Sequence, residues 1–108
     1  MKTDQVYVEH ILDAIQQIEE YTRGVDRQAF GESQMLQDAT VRQIEILGEA
    51  SRQLSESFRR RVSNIPWRAI IGMRNRIAHD YLNIDPDIVW EVVQSDVPLL
   101  KDRLSTEV

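Results

Sequence analysis

The sequence has no cysteine, and only two of its 108 residues are histidine. Without cysteine the chain cannot form disulfides, a cysteine-ligated zinc site or a thiol nucleophile. The two histidines, His10 and His79, lie far apart in the sequence, which argues against a histidine-based metal site. The lack of cysteine suits a reducing cytoplasm, so we expect a cytoplasmic protein that needs no metal and no other cofactor.

Long apolar runs are also missing. The first twenty residues hold one early lysine and then carboxylates, where a signal peptide would have its apolar core. No stretch has the length and apolar character of a transmembrane helix. A hydrophobic fraction of 42% and a charged fraction of 29% are typical of a globular chain. We predict one domain over residues 1–108, small enough for a partner to add stability.

Positive charge is scarce overall but concentrated in one segment. The net charge is −5, yet residues 57–79 contain six arginines and no carboxylate, so the other 85 residues carry −11. This concentration predicts an anion-binding surface on an acidic protein. The alternative is a solvated charged stretch that follows a helix. The six residues are Arg59, Arg60, Arg61, Arg68, Arg74 and Arg76.

Apolar residues recur at helical spacing, and the alternation typical of strands is absent. The residues that form these apolar stripes are Val8, Ile11, Ile15 and Ile18 in the first helix, Leu36, Ala39, Ile44, Leu47, Ala50 and Leu54 in the second, and Ile88, Val89, Val92 and Val93 in the last. We therefore predict an all-α, up-and-down bundle of four main helices, with possible short extra helices such as one in "DRQAFGES". The main helices are expected over about residues 4–22, 33–57, 66–81 and from 86 onward. Gly48, inside the second, indicates a close approach to another helix. The expected end signals are Gly24 as a stop, Ser33 and Asp85 as N-caps, Pro66 and Pro86 in first turns, and Pro98 as a kink or stop.

The stretch "RNRIAHDY", residues 74–81, has more polar chemistry than a core-packing helix needs. At 100° per residue, one arc of the third helix carries Arg74, Asn75, His79 and Tyr81. A separate apolar stripe faces the core, and an outward pair of Arg76 and Asp80 forms a weak surface ion pair. The stripe expected to be buried consists of Ile70, Met73 and Ile77.

An arginine and a histidine on one patch suit phosphate chemistry. Arginine supplies a permanent forked charge, and histidine can move a proton near neutral pH. The alternative is that His79 and Tyr81 are half-buried residues bonding helix ends, with the arginines in solvent. The alignment of the four motif residues on one arc favours the functional interpretation.

The motif has the pattern R-x4-H-x-Y and stands between segments that match the same family in the same order, "EILGEASRQLSESF", "IPWRAIIGMRNRIAHDY" and "IDPDIVWEVVQSDVPLL". Together they resemble the HEPN superfamily, in particular its HepT-like ribonuclease toxins. The resemblance covers the chain from about Phe30 to Leu100, with no departure at the motif positions.

This resemblance implies a homodimeric all-α bundle and metal-independent RNA cleavage, with Arg74 and His79 as the catalytic pair and Asn75 as a polar neighbour. It also implies a toxin–antitoxin pair of the type VII kind. The antitoxin would be a minimal nucleotidyltransferase that transfers AMP to Tyr81 and so inactivates the toxin.

Chemistry gives a separate reason to expect a dimer. An RNase without a metal uses the 2′-hydroxyl of its substrate as nucleophile, and it needs both a base and an acid. The motif supplies one histidine per chain, and a two-fold dimer would supply two. The arginine-rich segment would follow the RNA backbone, with Arg59, Arg60, Arg61, Arg68 and Arg76 as candidate contacts.

Two alternatives stay open from the sequence. The first is a non-cleaving HEPN module that binds nucleotide or RNA and presents a substrate to a nucleotidyltransferase. Arrest of growth on expression alone, relieved by His79→Ala, would favour the ribonuclease over this module. The second alternative is a structural helical partner that makes contact through its acidic first helix and Trp90.

Overall fold

The computed structural model describes residues 3–77 and 83–107, and the regular elements in those ranges are helices. The all-α prediction is confirmed, and the homodimer stays a prediction. No helix in these ranges is both long enough and apolar enough to cross a membrane. In chain order the elements are α1 (Asp4–Thr22), α2 (Arg27–Glu32), α3 (Gln34–Gln53), α4 (Glu56–Arg61), α5 (Trp67–Ile71), α6 (Met73–Ile77), α7 (Pro86–Glu91), a π-helical segment (Val92–Asp96) and α8 (Val97–Ser105).

Helix α3 is the centre of the bundle. It packs along α1 and also contacts α2, α5, α6 and α7, while α8 closes against α1. The predicted stripes are buried on α1 and on α5–α6, whereas Leu36, Ala39 and Ile88, expected in the stripes of α3 and of the last helix, are only partly buried. The buried residues that fulfil the prediction are Val8, Ile11, Ile15, Ile18, Ile44, Leu47, Ala50, Leu54, Ile70, Met73, Ile77, Val89, Val92 and Val93.

Most of the helix ends expected from the sequence are confirmed. Gly24 follows α1 with φ 72°, a conformation that favours glycine. The Ser33 hydroxyl accepts a hydrogen bond from the Leu36 backbone N–H at 3.1 Å, as an N-cap does. The Asp85 carboxylate caps α7 in the same way, with Pro86 in the first turn. Local chemistry therefore decides these ends.

The second predicted helix was expected to reach about Ser57, but it ends earlier and a separate helix follows it. Helix α3 ends at Gln53, Leu54 is extended, and Ser55 caps α4 by accepting from the Phe58 N–H at 3.1 Å. Asp4 of α1 holds this corner, because its carboxylate accepts from the Ser55 N–H at 2.8 Å and from the Ser55 hydroxyl at 2.7 Å. The arginines at 59–61 therefore lie on α4.

The third predicted helix, expected as one piece over 66–81, is divided at Gly72. Pro66 is the residue before the helix rather than part of its first turn, and α5 begins at Trp67. Gly72 has φ −86° and ψ 2°, and α6 begins at Met73. Glycine is a weak helix former, so a break is favoured at this position. Residues 78–81 of the predicted helix lie outside the described residues.

Pro98 deforms the C-terminal helical segment and does not end it. The proline lies at the start of α8, and the residues before it form the π-helical segment. Proline has no N–H to donate and its ring crowds the preceding turn, which favours such a deformation. Farther upstream, Trp90 packs on Phe30 with 5.3 Å between ring centroids, so its ring joins α7 to α2. This contact weighs against Trp90 as a free surface for a partner.

Gly48 marks the predicted close approach between helices. A Cβ atom at Gly48 would lie 3.7 Å from the carbonyl oxygens of both Ile70 and Ile71. The backbone of α3 therefore passes directly beside α5. This contact fixes the position of α5 and of the motif residues that follow it on α6.

Candidate active site

The described part of the motif lies on α6 and separates into two faces, as its spacing predicts. Met73 and Ile77 are buried, Arg74 is partly exposed, and Asn75 is exposed. Helix α6 thus presents Arg74 and Asn75 on its surface while its apolar side anchors it in the core. His79 and Tyr81, the other two predicted site residues, lie outside the described residues.

Glu45 of α3 holds the motif arginine. The Arg74 Nε donates to the Glu45 Oε2 at 3.0 Å, and about a third of each side chain is exposed, 35% and 39%. A hydrogen bond through Nε orients the guanidinium while its two terminal nitrogens keep their own N–H donors. The pair thus fixes the direction of a charge that can still bind an anion.

Glu45 is not among the site residues predicted from the sequence, although the sequence contains a signal for it. Glu45 precedes Gly48 by three residues, so both lie on one face of α3. Gly48 was expected to face another helix, so a carboxylate on the same face of α3 should contact the side chains of that helix. The missing information was that this neighbouring helix carries Arg74.

Arg74 and Glu45 line a groove of about 350 Å³ between α3 and α5–α6. One and two turns after Glu45 on α3, Glu49 and Arg52 also line the groove, and Arg52 donates through two nitrogens to the Glu49 carboxylate, at 2.7 and 3.1 Å. These hydrogen bonds, with one from Gln53, lower the pKa of the Glu49 carboxyl. The other residues of the groove are Arg42, Ile44, Gly48 and Ile71. The groove is thus rich in paired charges, and Arg74 is one of them.

Three of the arginines predicted to bind RNA surround a second depression, of about 460 Å³, between α4 and α5. Arg59 and Arg68 have no carboxylate partner within ranges 3–77 and 83–107. Arg60 contacts Glu56 at 3.1 Å, but both side chains are about three-quarters exposed, so this pair contributes little. The lining consists of Glu56, Arg59, Arg60, Trp67, Arg68 and Ile71.

The remaining two predicted RNA contacts are not part of this depression. Arg61 pairs with Glu107 at 2.7 Å and lies over the Phe58 ring. Arg76 pairs with Asp96 at 2.9 Å. Its predicted partner, Asp80, lies outside the described residues. The structure therefore brings Arg59, Arg60 and Arg68 together and places Arg61 and Arg76 against carboxylates.

The described ranges contain no cluster of three histidine, aspartate or glutamate side chains that could hold a metal ion.

A family model for ribonuclease HepT-like proteins matches residues 11–107. The chain belongs to the HepT-like ribonuclease family. This confirms the family that the sequence motifs resemble.

Curated relatives carry related names. A Methanocaldococcus jannaschii protein provisionally named as an RNase is 35% identical over 93% of this chain and 92% of its own length. A protein named probable ribonuclease HepT, from Thermococcus cleftensis, is 38% identical over 90% of this chain and 88% of its own. Another M. jannaschii relative, 41% identical over 95% of this chain, joins a gamma-glutamylcyclotransferase to a provisional RNase, and this chain spans only 46% of its length. No solved structure matches the chain.

Proposed function

We propose that this HepT-like chain is a metal-independent endoribonuclease toxin, with Arg74 and His79 as its catalytic pair. The observation that carries the proposal is the orientation of Arg74 by Glu45 in the lining of a groove. A guanidinium fixed in this way is suited to the charge that develops on a phosphate during cleavage, since it does not have to reorganise. Family membership supplies the reaction class.

Cleavage proceeds by attack of the 2′-oxygen on the adjacent phosphorus. The P–O5′ bond breaks, leaving a 2′,3′-cyclic phosphate and a 5′-hydroxyl. A base takes the proton of the 2′-hydroxyl, an acid gives one to the 5′-oxygen, and Arg74 stabilises the pentavalent phosphate. With one motif histidine per chain, two chains facing one cleft provide His79 twice, and the active form is a homodimer. Asn75, exposed beside Arg74, is the supporting polar contact.

The activity is tested with purified protein, total RNA and excess chelator. Wild type should produce fragments that end in 2′,3′-cyclic phosphate, and His79→Ala should produce none. Arg74→Gln should lower the rate by about 10²–10³-fold, as the loss of one preorganised donor does elsewhere. The matched control is Arg23→Gln, which removes the same charge from the exposed residue that follows α1.

Cleavage that requires an added metal, or that survives His79→Ala, would contradict the mechanism. RNA binding without cleavage would instead favour the module that presents a substrate to a nucleotidyltransferase. The three arginines around the α4–α5 depression support binding in either case.

We further propose that a minimal nucleotidyltransferase controls the toxin through Tyr81. The phenol oxygen attacks the α-phosphorus of ATP, pyrophosphate leaves, and the phenol proton passes to a base of the transferase. The AMP carries an anion that competes for Arg74 and bulk that blocks RNA.

Intact-mass measurement after co-expression with the neighbouring gene tests this control. One or more adenylate masses should be added to wild type and to Tyr21→Phe, and none to Tyr81→Phe. Adenylation that persists in Tyr81→Phe, or neutralisation without any mass gain, would contradict the assignment.

A further inference from the structure

The depression between α4 and α5 combines an apolar floor with a cationic rim. Trp67 and Ile71 form the floor. The Trp67 ring is held rigidly, because its Nε1 donates to the Val62 carbonyl at 3.0 Å and the Phe58 ring packs edge-on 6.2 Å away. The rim consists of Arg59, Arg60 and Arg68, together with Glu56, which pairs with Arg60.

This combination of side chains is complementary to a nucleotide. Nucleobases pack against aromatic and aliphatic side chains, and arginines bind the phosphates on either side. A volume of about 460 Å³ is within the range of small-ligand sites, so one base fits. Arg59 and Arg68, whose guanidinium groups have no carboxylate partner in the described part of the chain, provide the complementary charge.

We propose that the α4–α5 depression is a nucleobase-binding subsite that holds one unpaired nucleotide of the RNA substrate. The subsite rests on the proposed function, since its ligand is the strand that is cleaved. Ile71 lines both this depression and the groove that contains Arg74. A strand with one base in the depression therefore passes over Ile71 to reach Arg74, and the subsite determines which phosphate lies at the catalytic arginine.

The first experiment fixes the register of the substrate and removes one base at a time. Each oligonucleotide is 2′-O-methylated except for one ribonucleotide, so that cleavage is possible at one phosphate only. An abasic nucleotide is then placed at each position in turn, and kcat/KM is measured with the wild-type protein. One position, or two adjacent ones, should lower kcat/KM by about five- to hundredfold, the range for loss of one stacked base. A profile without such a position would overturn the subsite.

The second experiment separates apolar from ionic contributions, using fluorescence anisotropy with a fully 2′-O-methylated oligonucleotide that cannot be cleaved. Arg59→Gln and Arg68→Gln should each reduce the slope of log K against log salt by about 0.7. Ile71→Ala should weaken binding while leaving that slope unchanged, and Ile71→Leu should restore affinity. Arg23→Gln, at the far end of α1, is the matched control, and thermal melting confirms that each variant is folded.

The outcomes distinguish the subsite from the proposed cleavage. Cleavage with a flat abasic profile, and with Arg59 and Arg68 variants that match Arg23→Gln, overturns the subsite and leaves the ribonuclease. Binding that depends on Ile71 and the two arginines, without cleavage of the one-ribonucleotide substrate, supports the subsite and overturns the ribonuclease. Absence of RNA binding overturns both.

Discussion

Replacing Gly48 by alanine should stabilise the protein, even though Gly48 lies where two helices meet. The added Cβ would be 3.7 Å from the Ile70 and Ile71 carbonyl oxygens, which is an ordinary van der Waals contact. Neither helix therefore has to move. What remains is the intrinsic cost of glycine inside a helix, which alanine removes.

The magnitude follows from that cost. Glycine inside a helix is less favourable than alanine by about 0.5–1 kcal/mol, so the free energy of unfolding should rise by about that amount. For a chain of 108 residues this corresponds to a rise in melting temperature of about 2–4 °C. A larger side chain has no such space between the two backbones, and Gly48→Leu should be destabilising.

Urea denaturation followed by circular dichroism measures the change, at one fixed protein concentration because unfolding of the proposed homodimer would depend on concentration. The control is Gly24→Ala, at φ 72°, where a Cβ meets no neighbouring atom but the backbone conformation disfavours alanine. That variant should lose about 1 kcal/mol. A Gly48→Ala protein less stable than wild type would refute the reasoning. It would mean that a Cβ at residue 48 clashes with α5, so that its distance to the Ile70 and Ile71 carbonyl oxygens is shorter than 3.7 Å.

Three further predictions concern single side chains. Ser55→Ala removes the hydroxyl that caps the Phe58 N–H and should cost about 1 kcal/mol in urea unfolding, and an unchanged midpoint would contradict that cap. Thr40→Val should gain about 1 kcal/mol, because the buried Thr40 hydroxyl has no hydrogen-bond partner in the described part of the chain. NMR titration should place the Glu49 pKa below its ordinary value, and Arg52→Gln should bring it back up. Because that pKa is lowered on folding, its contribution to stability exists above the unfolded pKa and is lost as the pH falls through the folded pKa.

The sequence was sufficient where structure depends on neighbouring residues. The bounds of α1 follow from its apolar period and from Gly24, and the caps at Ser33 and Asp85 depend on N–H groups two or three residues away. The same period identified the buried face of α5–α6. These features involve only side chains within one or two turns of each other, so a pattern in the sequence contains them.

The apolar pattern was insufficient at two breaks between helices. The end of α3 depends on Asp4, which holds Ser55 from 51 positions away. The apolar period of residues 66–81 does not reveal the break at Gly72. Ile70, Met73 and Ile77 are buried on both sides of the break, so the pattern continues across it. Both breaks place the arginines on short separate helices, which the apolar pattern alone did not anticipate.

Charge pairing explains the remaining difference at the candidate RNA surface. Residues 57–79 contain no carboxylate, and Arg59, Arg60, Arg61, Arg68 and Arg76 were therefore candidate RNA contacts. The folded chain brings Glu107 to Arg61 and Asp96 to Arg76, from positions well beyond that segment. A count of charges along the sequence therefore overestimates the number of arginines that can bind phosphate, because it does not detect the carboxylates that folding brings from distant positions. Of the five candidate RNA contacts, the three around the α4–α5 depression are not held by a distant carboxylate within the described ranges. Substitutions there should therefore change RNA affinity more than substitutions of Arg61 or Arg76.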